Sequence, residues 1–209
     1  MNLPDPFTLN RAIARRISPL LARTGITPNQ ITALALLSGV CGALAIAKGT
    51  RWGLVQGAFF LHLSYILDDC DGAVARLRKL STRLGMWWDY AADLIVDMAL
   101  WAGLAFATAR QGFAGPALVA AVAAAFGSVL HFVSVISARL RDETPHYEGK
   151  RPWIESLSGD GDPSLLIWVL AWIGYPGYFL LFGSIYVNAL WIIPLVRARI
   201  TFQKKGVSR

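Results

Sequence analysis

The sequence predicts an all-α, polytopic membrane protein: six transmembrane helices preceded by an N-terminal amphipathic interfacial helix. Three observations predict it. Of 209 residues, 55% are hydrophobic and only 16% are charged, whereas a soluble domain carries roughly 25% charged residues. The apolar stretches are continuous rather than alternating, which argues against a membrane β-barrel. The basic residues fall almost entirely into alternate connections, as the positive-inside rule requires. The same composition excludes a disordered chain, a disulfide scaffold and a coiled coil. The net charge of +7 then reads as a topology signal rather than a nucleic-acid footprint, and no nucleic-acid partner is expected. Cys41 and Cys70 fit no disulfide or zinc pattern.

In chain order, Phe7 to Leu21 come first. Ile13, Ile17, Leu20 and Leu21 fall on one helical face, with Arg11, Arg15 and Arg16 around the other, the pattern of a helix lying on an anionic inner leaflet. The stretch from Pro4 to Arg23 lacks the apolar core of a cleaved signal peptide. Thr27-Pro28-Asn29-Gln30 opens the first span, with Thr27 suited to the N-cap, Pro28 to N1 and Gln30 to a capping box. A span needs about 20 mostly apolar residues. The candidates are Ile31–Lys48, Trp52–Leu67, Leu84–Ala109, Ala114–Ala138, Ser164–Leu181 and Gly183–Val196, the last two divided by a Gly/Pro/Tyr turn near Tyr175–Gly183. With this division, 17 of the 20 lysines and arginines lie on one side, and only Lys48, Arg51 and Arg110 lie on the other. Both ends of the bundle sequence and the Leu140–Pro163 connection are therefore expected on the cytoplasmic side of the inner membrane. The expected organisation is a juxtamembrane helix over 1–26, a six-helix membrane domain over 27–203 and a basic tail over 204–209. His62 and His131 are expected to be satisfied inside helices, and the small-residue run Ala117–Ala125 offers a close helix contact such as a dimer seam.

The acids carry the chemistry. Asp68, Asp69, Asp71, Asp89, Asp93 and Asp97 are six of the 13 in the chain, and all sit in or beside apolar helices. A charge at the centre of a span costs about 2.5–3.5 kcal/mol on insertion scales, so four of them demand compensation. Asp68 and Asp71 (i,i+3) share a face of the second span, and Asp89 and Asp93 (i,i+4) share a face of the third. The short basic turn Arg76–Leu84 makes those spans antiparallel neighbours, so the four carboxylates converge. Mutual repulsion then favours bound cations, and hard oxygen ligands in two pairs suit two Mg²⁺ or Mn²⁺ ions. Asp71 is five residues from Arg76, about 7–8 Å along a helix, which puts the site just inside the cytoplasmic interface. Asp69 and Asp97 are read as supporting residues. Gly72 and Gly85 lie one turn from Asp68 and Asp89, where the missing side chains admit backbone or substrate; helix packing is the ordinary alternative. Arg76 is placed to neutralise a phosphate.

Residues 68–93 read DDCDGAVARLRKLSTRLGMWWDYAAD. This D-x2-D-G-x2-A-R-x8-G-x3-D-x3-D string resembles the signature of the CDP-alcohol phosphotransferase family at Asp68, Asp71, Gly72, Ala75, Arg76, Gly85, Asp89 and Asp93. Pro28-Asn29-Gln30-Ile31-Thr32 resembles the opening that many members carry. The resemblance implies that Asp68, Asp71 and Asp89 hold two metal ions, that Asp93 joins one of them and acts as general base, and that Gly72, Ala75, Arg76, Thr82 and Gly85 line the CDP moiety together with the backbone around Asn29, Gln30, Ile31 and Thr32. It further implies metal-dependent transfer of a substituted phosphate from a CDP-alcohol to an acceptor hydroxyl in phospholipid biosynthesis, with release of CMP. CDP-diacylglycerol is the favoured donor, and a homodimer among membrane lipids is the expected assembly. A phosphorylated acceptor would need cations, for which Arg139, Arg141, Lys150, Arg151, Arg197 and Arg199 are candidates, although the positive-inside rule alone also predicts them. The competing functions are head-group transfer from a soluble CDP-alcohol to a lipid, an aspartate-rich membrane prenyltransferase, and a cation transporter. The sequence names neither the acceptor nor the preferred metal.

Overall fold

The computed structural model describes residues 9–140 and 164–206. Among them are seven helices and no strand: α1 (Leu9–Leu21), α2 (Pro28–Ala47), α3 (Arg51–Leu77), α4 (Arg83–Arg110), α5 (Ala114–Leu140), α6 (Ser164–Ile173) and α7 (Pro176–Gly206). Four stretches are long and apolar enough to cross a membrane: Pro28–Ala47, Arg83–Arg110, Ala114–Ser137 and Pro176–Ile193. α3 has the length, at 27 residues, but Asp68, Asp69, Asp71 and Arg76 interrupt its apolar character near its C-terminus.

The helix starts are written in side-chain chemistry. Thr27 caps α2 through the expected reciprocal box: its hydroxyl accepts from Gln30 N at 3.3 Å, and its own N–H donates to Gln30 Oε1 at 2.9 Å. Thr50 and Thr82 cap α3 and α4 through their hydroxyls alone, accepting at 3.0 Å from Gly53 N and Gly85 N. α3 ends in a left-handed cap. Lys79 takes φ +55°, and Leu80 N donates to Ala75 O at 2.8 Å, so the last carbonyls are satisfied and the chain reverses at once into α4. Arg78 ties this turn to the segment before α2 by donating to Ile26 O at 2.8 Å.

α2 lies at the centre, packed against both α3 and α4; α5 and α7 flank α4, α6 lies against α3, and α1 docks on α3. The central packing is close because glycines face backbone. A methyl group at Gly103 would come within 2.5 Å of Ala43 O, and one at Gly57 within 2.9 Å of Gly42 O. The main core includes Leu54, Leu61, Leu100, Leu104 and Leu180. Three polar groups around this core close on the protein: Ser38 Oγ donates to Phe60 O (2.8 Å), Ser64 Oγ to Ala35 O (2.8 Å) and Trp101 Nε1 to Ser128 Oγ (3.0 Å).

Three expectations are corrected here. The chain breaks at Gly174, at φ +83°, and α7 then runs unbroken from Pro176; Leu181 and Gly183 lie inside one helix, because Pro176 starts a helix and Gly183 packs against the Trp101 ring. The alanines of the Ala117–Ala125 run do not offer a seam: Ala117, Ala121 and Ala124 are buried in the core, while Leu118, Val119 and Val122 face outward. His62 and His131 are not satisfied, since the Nδ1 atom of each is buried without a hydrogen-bond partner.

Candidate active site

The aspartates meet where the C-terminal end of α3 passes the N-terminal ends of α2 and α4. On α3, the i,i+3 spacing puts Asp68 and Asp71 on the side that faces α4, and the tight Arg78–Thr82 turn brings Asp89 level with them. One carboxylate oxygen from each of Asp68, Asp71 and Asp89 lies within 4.8 Å of the others. Asp71 is buried, at 5% exposure, and its orientation is fixed from α2: Thr32 Oγ1 donates to Asp71 Oδ2 at 2.5 Å. Asp93 reaches Asp68 from one turn further along α4. Carboxylates at such spacing repel one another strongly in a low-dielectric setting, and a hard divalent cation between them relieves that repulsion. Three convergent oxygen donors match the ligand preference of Mg²⁺ and Mn²⁺.

Two cavities open from this cluster on its polar side. The first, about 380 Å³, is lined by Pro28, Asn29, Thr32, Asp71, Gly72, Ala75, Arg76, Thr82, Gly85 and Asp89 among others. The first turns of α2 and α4 both border it, and helix N-termini present N–H groups and positive dipole ends to anions. Gly72 leaves room for the Arg76 guanidinium, whose Nη1 would lie 3.3 Å from a methyl group there; a methyl at Gly85 would come 3.1 Å from Thr82 Oγ1 and 3.3 Å from Asn29 Oδ1. The second cavity, about 430 Å³, lies between the cluster and α1. A third, about 320 Å³, runs inward from Asp68 and Asp93 and is bordered by Tyr65, Tyr90, Asp97, Ser128 and His131.

The structure thus brings together Asp68, Asp71 and Asp89, with Asp93 beside Asp68. It places Asn29, Thr32, Gly72, Ala75, Arg76, Thr82 and Gly85 on one cavity wall. Gln30 and Ile31 do not line it. Gln30 is engaged in the α2 cap, and Ile31 is fully buried against Ala14, Cys70 and Val74. Thr32 acts on Asp71 through its hydroxyl, and Thr82 is also the α4 cap, roles that a periodicity reading does not reveal. Arg141, Lys150 and Arg151 lie outside the described residues, as do the side chains of Arg139, Arg197 and Arg199. Sequence reasoning missed Ser81, Arg83 and Met86 on the first cavity, and Arg11 and Arg15 on the second. In the sequence Arg11 and Arg15 are fully explained by membrane topology, and only the docking of α1 on α3 places them on the cavity.

The family model for CDP-alcohol phosphatidyltransferase matches residues 25–158. A bifunctional IPC transferase and DIPP synthase of Aquifex aeolicus is 36% identical over 122 residues, which are 58% of this chain and 27% of that protein; the match spans about a quarter of that relative's length. The phosphatidylinositol phosphate synthase of Mycobacterium marinum is 30% identical over 196 residues, covering 90% of this chain and 77% of the relative. The apo crystal structure of the Mycobacterium tuberculosis phosphatidylinositol phosphate synthase superposes with a TM-score of 0.50 at 26% identity, covering 84% of this chain and 94% of that one. With the family match running through the aspartate cluster and most of the helices that hold it, the chain belongs to the CDP-alcohol phosphatidyltransferase family.

Proposed function

We propose that this protein transfers a substituted phosphate from a CDP-alcohol, with CDP-diacylglycerol the favoured donor, to an acceptor hydroxyl, and releases CMP. The observation that carries the proposal is the convergence of Asp68, Asp71 and Asp89 within 4.8 Å at the mouth of a cavity bordered by two helix N-termini and Arg76. The first cavity takes the nucleotide. Arg76 makes a bidentate contact to a phosphate that passes over Gly72, and the first turns of α2 and α4 add N–H groups. Asp68, Asp71 and Asp89, with Asp93 joining, would hold two Mg²⁺ or Mn²⁺ ions. When bound, such ions neutralise the diphosphate and stabilise charge on the departing group. Asp93, which faces the inner cavity, takes the proton of the acceptor hydroxyl. The acceptor oxygen attacks the phosphorus that carries the donated alcohol, in line with the bridging oxygen; a new P–O bond forms, the diphosphate bridge breaks, and CMP leaves with the bridging oxygen. The products are CMP and a phosphodiester. The relatives named phosphatidylinositol phosphate synthases make a phosphorylated polyol the first acceptor to try.

The membrane reading goes with this. The six-span plan needs α3 and the stretch that begins with α6 to cross as well, although α6 itself has only 10 residues, about half of a span; α1 lies in the interface, residues 27–203 form the catalytic domain, and the aspartate end faces the cytoplasm because the basic residues gather there. A homodimer is the expected assembly.

The test is direct. Purified protein with Mg²⁺ or Mn²⁺, CDP-diacylglycerol and a panel of polyols and phosphorylated polyols should release CMP and yield a new phospholipid identifiable by mass spectrometry. Transfer from a water-soluble CDP-alcohol to a lipid would reverse donor and acceptor. Divalent-cation flux into proteoliposomes without any CMP release would make the protein a transporter and end the proposal.

A further inference from the structure

We infer that Arg11 and Arg15 of α1 form a second anion-binding wall of the active site, which holds a phosphate group of a substrate; this rests on the transferase reading above. α1 is fixed, not floating. Its buried residues are Asn10, Ala14 and Ser18, spaced i, i+4, i+8. This small-residue face seats against α3, with Ala14 buried among Ile31, Cys70 and Val74, and Ser18 Oγ closes on Ala14 O at 2.7 Å. That seating sets the register of the remaining faces. Ile17 and Leu20 are exposed, at 37% and 61%, as a lipid-facing side requires. Arg11 and Arg15, one turn apart, line the cavity of about 430 Å³ that α1 shares with Asp68, Asp71, Asp89 and Arg76. Arg15 and Arg16 are both exposed, but Arg16, about 100° further round the helix, does not border the cavity.

A helix that only needs to rest on anionic lipid has no reason to turn two of its three arginines toward a metal site. Arg11 is aimed there by Asp69, with Nε 3.7 Å from Asp69 Oδ1. The pair is partly exposed, and exposed pairs contribute little to stability; its effect is orientation. A guanidinium presents N–H donors in a planar fork, and Arg11 carries that fork to the cavity it lines. Asp69 is outside the group formed by Asp68, Asp71 and Asp89, and holding Arg11 is the function the geometry gives it. With divalent ions on those three aspartates, the cavity becomes a cationic recess bounded by Arg11, Arg15 and Arg76, which suits a phosphate and offers nothing particular to a neutral polyol. The phosphate has two sources, the donor's diphosphate or a phosphorylated acceptor.

The experiment uses full-length protein in nanodiscs with Mg²⁺. It measures the Kd of CDP-diacylglycerol, together with KM and kcat for myo-inositol phosphate and myo-inositol. Arg15→Gln should weaken one phosphate interaction about tenfold, the scale of a lost charge-assisted contact, with kcat changed less than about threefold. A raised donor Kd assigns the wall to the diphosphate; an unchanged donor Kd with a raised KM for the phosphorylated acceptor alone assigns it to the acceptor. Arg15→Lys keeps a point charge and should recover part of the loss, while Arg16→Gln should leave every constant within about twofold, because it removes the same charge from the same helix away from the cavity. If Arg11→Gln and Arg15→Gln both leave every constant unchanged, or Arg16→Gln matches their effect, the wall is overturned. A wild-type protein that releases no CMP with any acceptor instead overturns the transferase reading itself.

Discussion

The two ends of the helix bundle bury polar groups in opposite ways. Around Gly57, Gly103 and Trp101, each hydroxyl or indole described above closes on a protein partner: Ser38 on Phe60 O, Ser64 on Ala35 O, Trp101 on Ser128. That half is a finished packing, as an apolar setting demands of buried polar atoms. At the other end, Asp68, Asp71 and Asp89 turn their oxygens toward one another, with Thr32 steadying Asp71 from behind. Like charges held this close repel one another strongly in a low-dielectric setting. The packing half closes these hydroxyls and the indole on the protein itself, whereas the aspartate half is built to be completed by something positively charged.

The sharpest way to break that comparison is to remove the positive charge or one of its holders. Asp71→Asn, or chelation of divalent ions from the wild type, should take CMP release to background. Chelation should be reversed by restoring Mg²⁺ or Mn²⁺, and the Asn variant should not. Transfer that survives both would show that the acids need no cation. Next in size is Asp93→Asn. A positioned general base contributes about 10²–10⁴-fold, so kcat should fall by that range while CDP-diacylglycerol still binds, as followed by equilibrium binding of the labelled donor. A near wild-type rate would remove Asp93 from its role as base.

How much of this could be read from the chain is unequal between the two ends. The acidic end is legible because its logic is local. A run of i,i+3 and i,i+4 carboxylates on two helices joined by a short turn is brought to one end of the bundle, where α2, packed against both helices, completes the convergence, and the Thr27–Gln30 cap follows from four residues. The distal end and the membrane plan are less so. Gly174 terminates α6, yet the composition around Tyr175–Gly183 gives no sign of where within it the break falls. The alanine face of α5 could have served a partner or the same chain, and only the position of α4 and α7 decides for the same chain. The bond from Thr32 to Asp71 and the place of Arg11 and Arg15 on a cavity are not legible in the sequence for a shared reason: they depend on helices distant in sequence, α2 on α3 and α1 on α3. Charge on an amphipathic segment has a sufficient topological explanation, and periodicity cannot overrule it.

A smaller effect probes the support of the cluster rather than its ligands. Thr32→Val keeps the shape of the side chain and removes the hydrogen bond to Asp71. Outer partners that orient metal ligands are typically worth about 10–100-fold in affinity or activity, so the apparent affinity for Mg²⁺, read from activation of CMP release, should weaken by an amount in that range. Maximal rate at saturating Mg²⁺ should recover most of the way. An unchanged metal requirement would mean that Asp71 is held by its helix alone.

The mildest pair of variants makes the same chemical change at each end. Gly103→Ala would push a methyl group to 2.5 Å from Ala43 O, a backbone atom of the central helix that cannot step aside cheaply; Gly72→Ala would place one 3.3 Å from Arg76 Nη1, the far end of a flexible side chain. Overpacking a closed interface costs about 1–3 kcal/mol, so Gly103→Ala should lower the thermal midpoint in detergent and leave KM for the donor alone among the molecules still folded. Gly72→Ala should do the reverse. Its methyl group is absorbed by a rotamer change of Arg76, stability holds, and the displaced guanidinium raises KM for CDP-diacylglycerol several-fold, given that a charge-assisted contact is worth about twice a neutral one. Thermal melts and donor titrations on the two proteins read the two outcomes separately. If both variants lose stability and neither changes KM, the space over Gly72 serves packing as the space at Gly103 does, and the division between a closed half and an open half does not hold at that position.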